Sequence, residues 1–249
     1  MKKQELIKEI IKLIKKFTIN DIKEIEERLD KQFLALKKLN ENFDDKELLI
    51  KLVIINALLS YYLSMKGEQY WQKFSEFFSK KENQSIDKFE EFLKKYNYRL
   101  LKQKLSRLEK VKKTIEKLNL QKIDYFANNL EEFIEYLASN LNQNKNSKTI
   151  VFATKMFNYI YRIISNDFIP MPRNAMIPLD VRIKKISNST KFWKELREKL
   201  PYSLLHLDSL LWITMGLKED EIKKSSINKE LKEGLLRLKC LLDKLVNDK

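Results

Sequence analysis

Residues 149–165, TIVFATKMFNYIYRIIS, are apolar on almost every side when they are wound into a helix. A helix of this kind lies in the interior of a protein rather than on its surface. Lys155 is one of very few charges in the segment, and Lys148 stands immediately before it. Because residues 142–147 form a polar, asparagine-rich stretch, the sequence predicts a buried helix that is entered through a polar turn.

The rest of the chain predicts a nearly all-helical protein. Three glycines and four prolines in 249 residues are too few for a β-rich or doubly wound fold, which needs more turn residues. The chain's 249 residues allow one large domain or two lobes that share a core, and the sequence shows no clear domain boundary. Helical periodicity predicts segments at 2–17, 20–39, 44–65, 71–78, 86–95, 97–118, 121–141, 149–165, 180–186, 190–199, 203–215 and 228–246.

Several local signals predict where these helices begin and end. Asn20-Asp21 suits a helix N-cap, and Asp44 with Glu47 resembles a capping box. Gly67 interrupts the pattern between two helices, and Gly216 suits the residue that follows a helix C-terminus.

The charge balance favours a polyanionic partner. The chain carries 50 Lys and Arg against 35 Asp and Glu, a formal net charge of +15. Such an excess attracts nucleic acid over long range, although a general abundance of lysine would give the same number. Segment 97–118 is especially basic, which fits either a phosphate-facing surface or a solvated helix face.

The composition excludes several classes of site. Cys240 is the only cysteine, so the chain cannot form a four-cysteine metal site. His206 is the only histidine, so a hydrolytic site that depends on histidines is disfavoured. No glycine-rich phosphate loop is present, and we expect neither metal nor cofactor. The longest apolar run, Leu52 to Tyr62, is too short to span a bilayer, and the N-terminus resembles no secretory signal. We therefore expect a soluble, cytoplasmic protein.

Lys148 and Asp180 are the residues that could carry chemistry. The positive end of a helix, partial burial and the second cation Lys155, about 10 Å along the axis, would all favour an uncharged, nucleophilic amine at Lys148. Asp180 follows Pro178-Leu179 and would accept backbone N–H groups as an N-cap. A carboxylate fixed in this way also suits a developing positive charge. The alternatives are an ordinary surface lysine and a purely structural cap.

Aromatic and amide side chains could complete a site for a flat ligand such as an extrahelical base. Trp212 and Asp208 are four residues apart and share a helix face, so one could stack while the other hydrogen-bonds. Trp71 stands at a helix start, and Gln32 offers both a donor and an acceptor. For both tryptophans, packing in the core is the competing interpretation.

These residues resemble a known family, the archaeal 8-oxoguanine DNA glycosylases (AGOG), a divergent branch of the helix-hairpin-helix glycosylases. The similar blocks follow the family's order across residues ~30–216. They are Lys148–Met156, Ile177–Arg182, Ser60–Ser64 with Gly67–Trp71, and Leu205–Trp212.

The resemblance implies an all-α, two-lobed helix-hairpin-helix glycosylase fold with the active-site cleft between the lobes. Residues 1–249 would form a single domain made of two helical subdomains, with a hairpin-like element at about 128–165, in a protein associated with the nucleoid. It also implies a bifunctional enzyme that excises 8-oxoguanine from double-stranded DNA, with single strands as a further candidate substrate, and that acts as a monomer without a cofactor. The residues it implicates are catalytic Lys148 and Asp180, base-stacking Trp71 and Trp212, and base-edge contacts Gln32, Lys155 and Asp208.

Two features depart from the wider superfamily. Asn144–Ser147 replaces the glycines that usually precede the lysine, and the lysine-to-aspartate separation is longer than usual, as in AGOG. The lack of a cysteine cluster separates the chain from the iron–sulfur members.

The charge and helical pattern would also suit a non-catalytic nucleic-acid-binding protein, with Lys148 as a phosphate contact, or a helical protein–protein adaptor.

Overall fold

The computed structural model describes residues 3–247, of which α-helix is the dominant structure and in which no strand occurs. The prediction of an all-α protein is therefore confirmed. The α-helices are α1 Lys3–Ile14, α2 Ile19–Leu29, α3 Lys31–Glu41, α4 Lys46–Leu59, α5 Gly67–Phe78, α6 Phe89–Tyr96, α7 Leu101–Ile115, α8 Leu120–Asn128, α9 Leu130–Leu141, α10 Lys148–Ser165, α11 Ile183–Ile186, α12 Thr190–Arg197, α13 Leu204–Gly216, α14 Glu219–Lys224 and α15 Lys229–Asn247.

The chain forms two compact units. The first unit combines the described residues up to Asp30 with those from Pro172 onward, and so contains α1, α2 and α11 to α15. The second unit is the continuous segment Lys31–Met171, which contains α3 to α10. None of the helices within residues 3–247 has the length and apolar character needed to cross a membrane.

The core of the second unit is built around α4 and α10. Every residue of α4 from Leu52 to Leu59 is buried, because this helix is apolar on nearly all sides. Helix α10 packs along α4 and also contacts α3 and α9. The segment from which the sequence predicted a buried helix thus forms one of the two central helices of this unit.

The core of the first unit is built around α13, which is also apolar on all sides and packs against α2 and α15. A buried polar pair lies in this unit: the His206 ring Nδ1 lies 2.9 Å from Glu26 Oε1, and both side chains are buried. The single histidine therefore has a partner within the core of this unit.

Two predicted helices are in fact interrupted. Segment 20–39 divides at Asp30, whose extended backbone (φ −73°, ψ 109°) ends α2 before α3 begins. Segment 121–141 divides at Asn129, whose side-chain amide donates to the Tyr125 carbonyl and ends α8. Periodicity alone does not show these breaks because the apolar pattern continues through both.

Several helix ends differ from their predicted positions. Thr18, not Asn20, caps α2, and its partner in the capping box is Asp21. Asp45, rather than Asp44, caps α4 by accepting from the Leu48 amide. Gly67 begins α5 instead of separating two helices, and Gly216 remains helical, since no described glycine has a positive φ.

Candidate active site

Lys148 is the first residue of α10, and its side chain is exposed. Within residues 3–247 no carboxylate lies at ion-pair distance from its amine. Burial in α10 begins only at Ile150, so the expected partial burial of Lys148 is wrong. The lysine instead projects from the surface at the positive end of a long helix, and no side chain caps that end.

The hairpin loop, residues 142–147 between α9 and α10, is rich in asparagine and contains no glycine. Asn142 adopts the left-handed conformation (φ 51°, ψ 55°) that ends α9, a conformation that asparagine tolerates better than other residues with a side chain. The Asn144 side chain accepts from the Asn146 amide at 2.8 Å, and its carbonyl accepts from the Ser147 amide at 2.8 Å. The turn therefore closes without glycine.

The second unit also holds three predicted binding residues, on helices that pack together. Helix α3, which carries Gln32, contacts both α5 and α10. Gln32 and Lys155 are 3% and 1% exposed, and the Lys155 amine lies 5.6 Å from the centroid of the Tyr159 ring. Burying a lysine is costly, so its place in an apolar helix favours a specific role.

Trp71 lies in the core of the second unit. It is 1% exposed, and its ring makes edge contacts with Phe74 at 5.4 Å and Phe152 at 6.2 Å. Core packing, the competing interpretation for this residue, therefore describes its contacts in this structure.

Asp180 lies in the first unit, where its carboxylate is held by the backbone. Its Oδ1 accepts from the amides of Arg182 at 2.9 Å and Ile183 at 2.8 Å, and the side chain is 8% exposed. Helix α11 begins at Ile183 with Arg182 at the N-cap position, so Asp180 accepts the predicted backbone N–H groups from two residues before that position. Both amides donate to one oxygen, which leaves Oδ2 as the carboxylate oxygen without a described donor.

Arg182 connects this carboxylate segment to Trp212. Its guanidinium lies 3.7 Å from the centroid of the Trp212 ring and donates to the Trp212 carbonyl at 3.1 Å. The indole N–H of Trp212 is buried and has no partner among the described residues. Asp208, one turn earlier on α13, is 4% exposed. Sequence reasoning missed Arg182, although a cation two residues after Asp180 was a visible signal.

The predicted site residues are thus divided between the two units. The second unit holds Gln32, Trp71, Lys148 and Lys155, and the first holds Asp180, Asp208 and Trp212. Within residues 3–247 no three His, Cys, Asp or Glu side chains form a group that could hold a metal ion.

Comparison with known proteins identifies the family. The model of the AGOG family, described as N-glycosylase/DNA lyase, matches residues 11–244. The chain belongs to this family. It is 38% identical to the N-glycosylase/DNA lyase of Methanococcus maripaludis over 231 residues, which cover 88% of this chain and 92% of that protein. The N-glycosylase/DNA lyase of Nanoarchaeum equitans is 40% identical over 226 residues, 91% of this chain and 98% of that protein.

A solved structure shows that the AGOG fold is shared. The 8-oxoguanine DNA glycosylase Pa-AGOG of Pyrobaculum aerophilum, solved in complex with 8-oxoguanosine, matches with a TM-score of 0.72. The match covers 94% of this chain and 96% of that chain at 20% identity. The family match and the relatives that are 38% and 40% identical make this AGOG member a bifunctional DNA glycosylase/lyase that acts on DNA. The adaptor and non-catalytic alternatives are set aside.

Proposed function

We propose that this AGOG enzyme excises 8-oxoguanine from double-stranded DNA and cuts the strand through a Schiff base on Lys148. The observation that carries the proposal is the position of Lys148, an exposed amine on the first residue of α10, directly after the asparagine-rich hairpin. The Pyrobaculum relative is named as an 8-oxoguanine glycosylase, which supports the choice of substrate.

The proposed chemistry uses one amine twice. The lone pair of neutral Lys148 Nζ attacks the sugar carbon C1′, and the bond from C1′ to the base breaks with its electron pair going to the base. The base takes up a proton and leaves. Opening of the sugar ring gives a Schiff base between C1′ and Nζ. Loss of a C2′ proton then expels the 3′ phosphate by β-elimination, and water releases the lysine.

Asp180 is proposed to stabilise the positive charge that develops on the sugar as the base departs. Its Oδ1 is held by two amides, so the carboxylate needs little reorganisation during the reaction. The proposal assigns Oδ2 to the substrate, because this oxygen accepts from neither amide.

Recognition of the base is proposed to involve stacking and edge contacts. Trp71 and Trp212 stack on the base, while buried polar groups on Gln32, Lys155 and Asp208 read its edge. 8-Oxoguanine has an N7–H that guanine lacks, so a guanine in the same place would leave a buried acceptor unpaired. Stacking on Trp71 requires local opening, because this ring is 1% exposed.

Borohydride trapping tests the proposal directly. Wild-type protein should form a covalent adduct with a duplex containing 8-oxoguanine and none with the matched guanine duplex. A protein that binds the lesion duplex and releases the base, but is never trapped, would contradict the Schiff base. Trapping on another lesion but not on 8-oxoguanine would contradict the substrate. The same assay with the lesion in a single strand, and light scattering for the proposed monomer, complete the test.

A further inference from the structure

Helix α7 and the hairpin loop enclose a pocket of about 520 Å³ within the second unit. Its lining contains three cations and no carboxylate, together with amide and hydroxyl groups. The lining residues are Tyr61, Lys102, Gln103, Ser106, Arg107, Lys110, Leu141, Asn142 and Gln143. A concave surface with charge of one sign concentrates the field inside it and therefore attracts an anion.

Arg107 is the most firmly held cation of this pocket. Its Nη2 donates to Gln143 Oε1 and to Thr149 Oγ1, each at 3.0 Å, and its guanidinium lies 5.4 Å from the centroid of the Tyr61 ring. Its Nε is buried and has no hydrogen-bond partner among the described residues. The guanidinium is thus fixed by neutral groups, which leave its charge uncompensated.

Lys102 and Lys110 line the same pocket as Arg107, and both are exposed. Neither forms an ion pair with any residue in the part of the chain that the structure describes. Two other cations of this helix are engaged elsewhere. Lys104 is buried and donates to the Asn97 side chain, and Lys112 pairs with Asp87 at 3.2 Å. The structure therefore distinguishes cations of α7 that are engaged in the fold from those that face the pocket, and Lys113 is exposed outside it.

We propose that this pocket binds a backbone phosphate of the DNA strand, with Lys102 and Lys110 at its rim and Arg107 at its base. Arginine and lysine are the usual partners of DNA phosphates, which position a strand without reading its sequence. Arg107 also bonds to Thr149, the residue next to Lys148, so a phosphate bound here holds the strand beside the proposed nucleophile. The inference rests on the proposed function in requiring that DNA reaches Lys148.

The salt dependence of binding to an undamaged duplex tests this inference. A plot of log K against log salt has a negative slope, and each lost phosphate contact reduces the magnitude of that slope by roughly 0.9. We expect Lys102→Ala/Lys110→Ala to make this slope less steep by about 1 and to weaken binding roughly tenfold more than its control at ~0.1 M salt. The control is Lys113→Ala/Lys117→Ala, which removes the same charge from exposed lysines outside the pocket, one in the last turn of α7 and one just beyond its end. Equal slopes for the two double variants would overturn the proposal.

Two further measurements complete the design. Thermal unfolding of both double variants should match the wild type, because all four side chains are exposed. Calorimetric titration with inorganic phosphate distinguishes a site for a DNA backbone phosphate from a site for free phosphate. One outcome would reject the DNA contact and indicate a site for free phosphate. In that outcome the Lys102→Ala/Lys110→Ala variant no longer gives the heat of phosphate binding, while the salt dependence of its DNA binding is the same as that of the wild type. Binding to undamaged duplex needs no catalysis, so failure here is distinct from a failure of borohydride trapping.

Discussion

Lys148 and Asp180 belong to different units of the protein and are held in opposite ways. Lys148 stands exposed at a helix start that no side chain caps, whereas Asp180 is buried and bonded to two backbone amides. The difference fits the proposed roles, because a nucleophile must reach its target and an electrostatic group works best when it is already oriented. The two tryptophans differ in the same manner. Trp71 is packed among phenylalanines, and Trp212 lies under a guanidinium with its N–H unpaired.

The largest expected effect comes from removing the exposed amine. Lys148→Gln should abolish the borohydride adduct and lower the single-turnover rate of base release by roughly a thousandfold or more, because no other group replaces the nucleophile. Binding to lesion duplex should remain measurable by fluorescence anisotropy. Lys145→Gln, three residues earlier in the hairpin loop, is the matched control and should still be trapped. A trapped Lys148→Gln protein would place the nucleophile elsewhere.

The next prediction compares how much each of the two tryptophans contributes to the free energy of unfolding. Trp71→Ala should lower the free energy of unfolding by about 3–5 kcal/mol, since it empties a fully packed position. Trp212→Ala should lower it by less, because that ring is only partly buried and its unpaired N–H is removed with it. Chemical denaturation measures both. Equal losses would show that the two environments do not differ energetically.

Asp180 tests whether a fixed carboxylate acts through its charge. Asp180→Asn should slow base release by roughly 10² to 10³, the usual loss for one preorganised electrostatic group. Its unfolding temperature should stay close to that of the wild type, because the asparagine oxygen can still accept from the Arg182 and Ile183 amides. Asp180→Ala should lose both rate and stability. An Asn variant as active as the wild type would leave Asp180 a helix cap only.

The smallest expected effect is a pH dependence of stability that comes from Lys104, which is buried in the same unit as the exposed Lys148. Burial, with a smaller contribution from Arg99, lowers the pKa of Lys104 from 10.5 to about 8. The unfolded chain therefore binds more protons than the folded one between about pH 8 and 10.5, so this lysine makes the protein more stable as pH rises through that window. Relative to Lys104→Met, the wild-type free energy of unfolding should increase over this range and be flat below it. A difference that is independent of pH would contradict the shift.

Lys104 also shows why a buried lysine need not be catalytic. Its amine donates to both oxygens of Asn97 and to the Tyr62 carbonyl, and so joins two loops. Tyr62 has a positive φ of 45° and is 72% exposed, a backbone conformation that this contact helps to hold. Burial by itself would have selected Lys104 over Lys148, whereas the position at the hairpin favours Lys148.

The sequence by itself determined the helical class, the family and the candidate residues. Long apolar periodicity at residues 149–165 and the scarcity of glycine and proline are sufficient to predict helices, because they reflect local backbone and burial preferences. The blocks around Lys148 and Asp180 were sufficient for the family. The exact helix ends were not predictable, since Thr18 and Asp45 compete with neighbouring polar residues for the same capping role.

Only the tertiary structure decided which polar side chains have a partner. Contacts within each folded unit pair Glu26 with His206 and stack Arg182 on Trp212. Such contacts also bury Lys104 while Lys102 and Lys110 stay exposed at the pocket. A lysine on a helix has the same local sequence signature whether it is buried or exposed. Its environment is set by the elements that pack against it, and the packing of distant segments is not encoded in any local pattern.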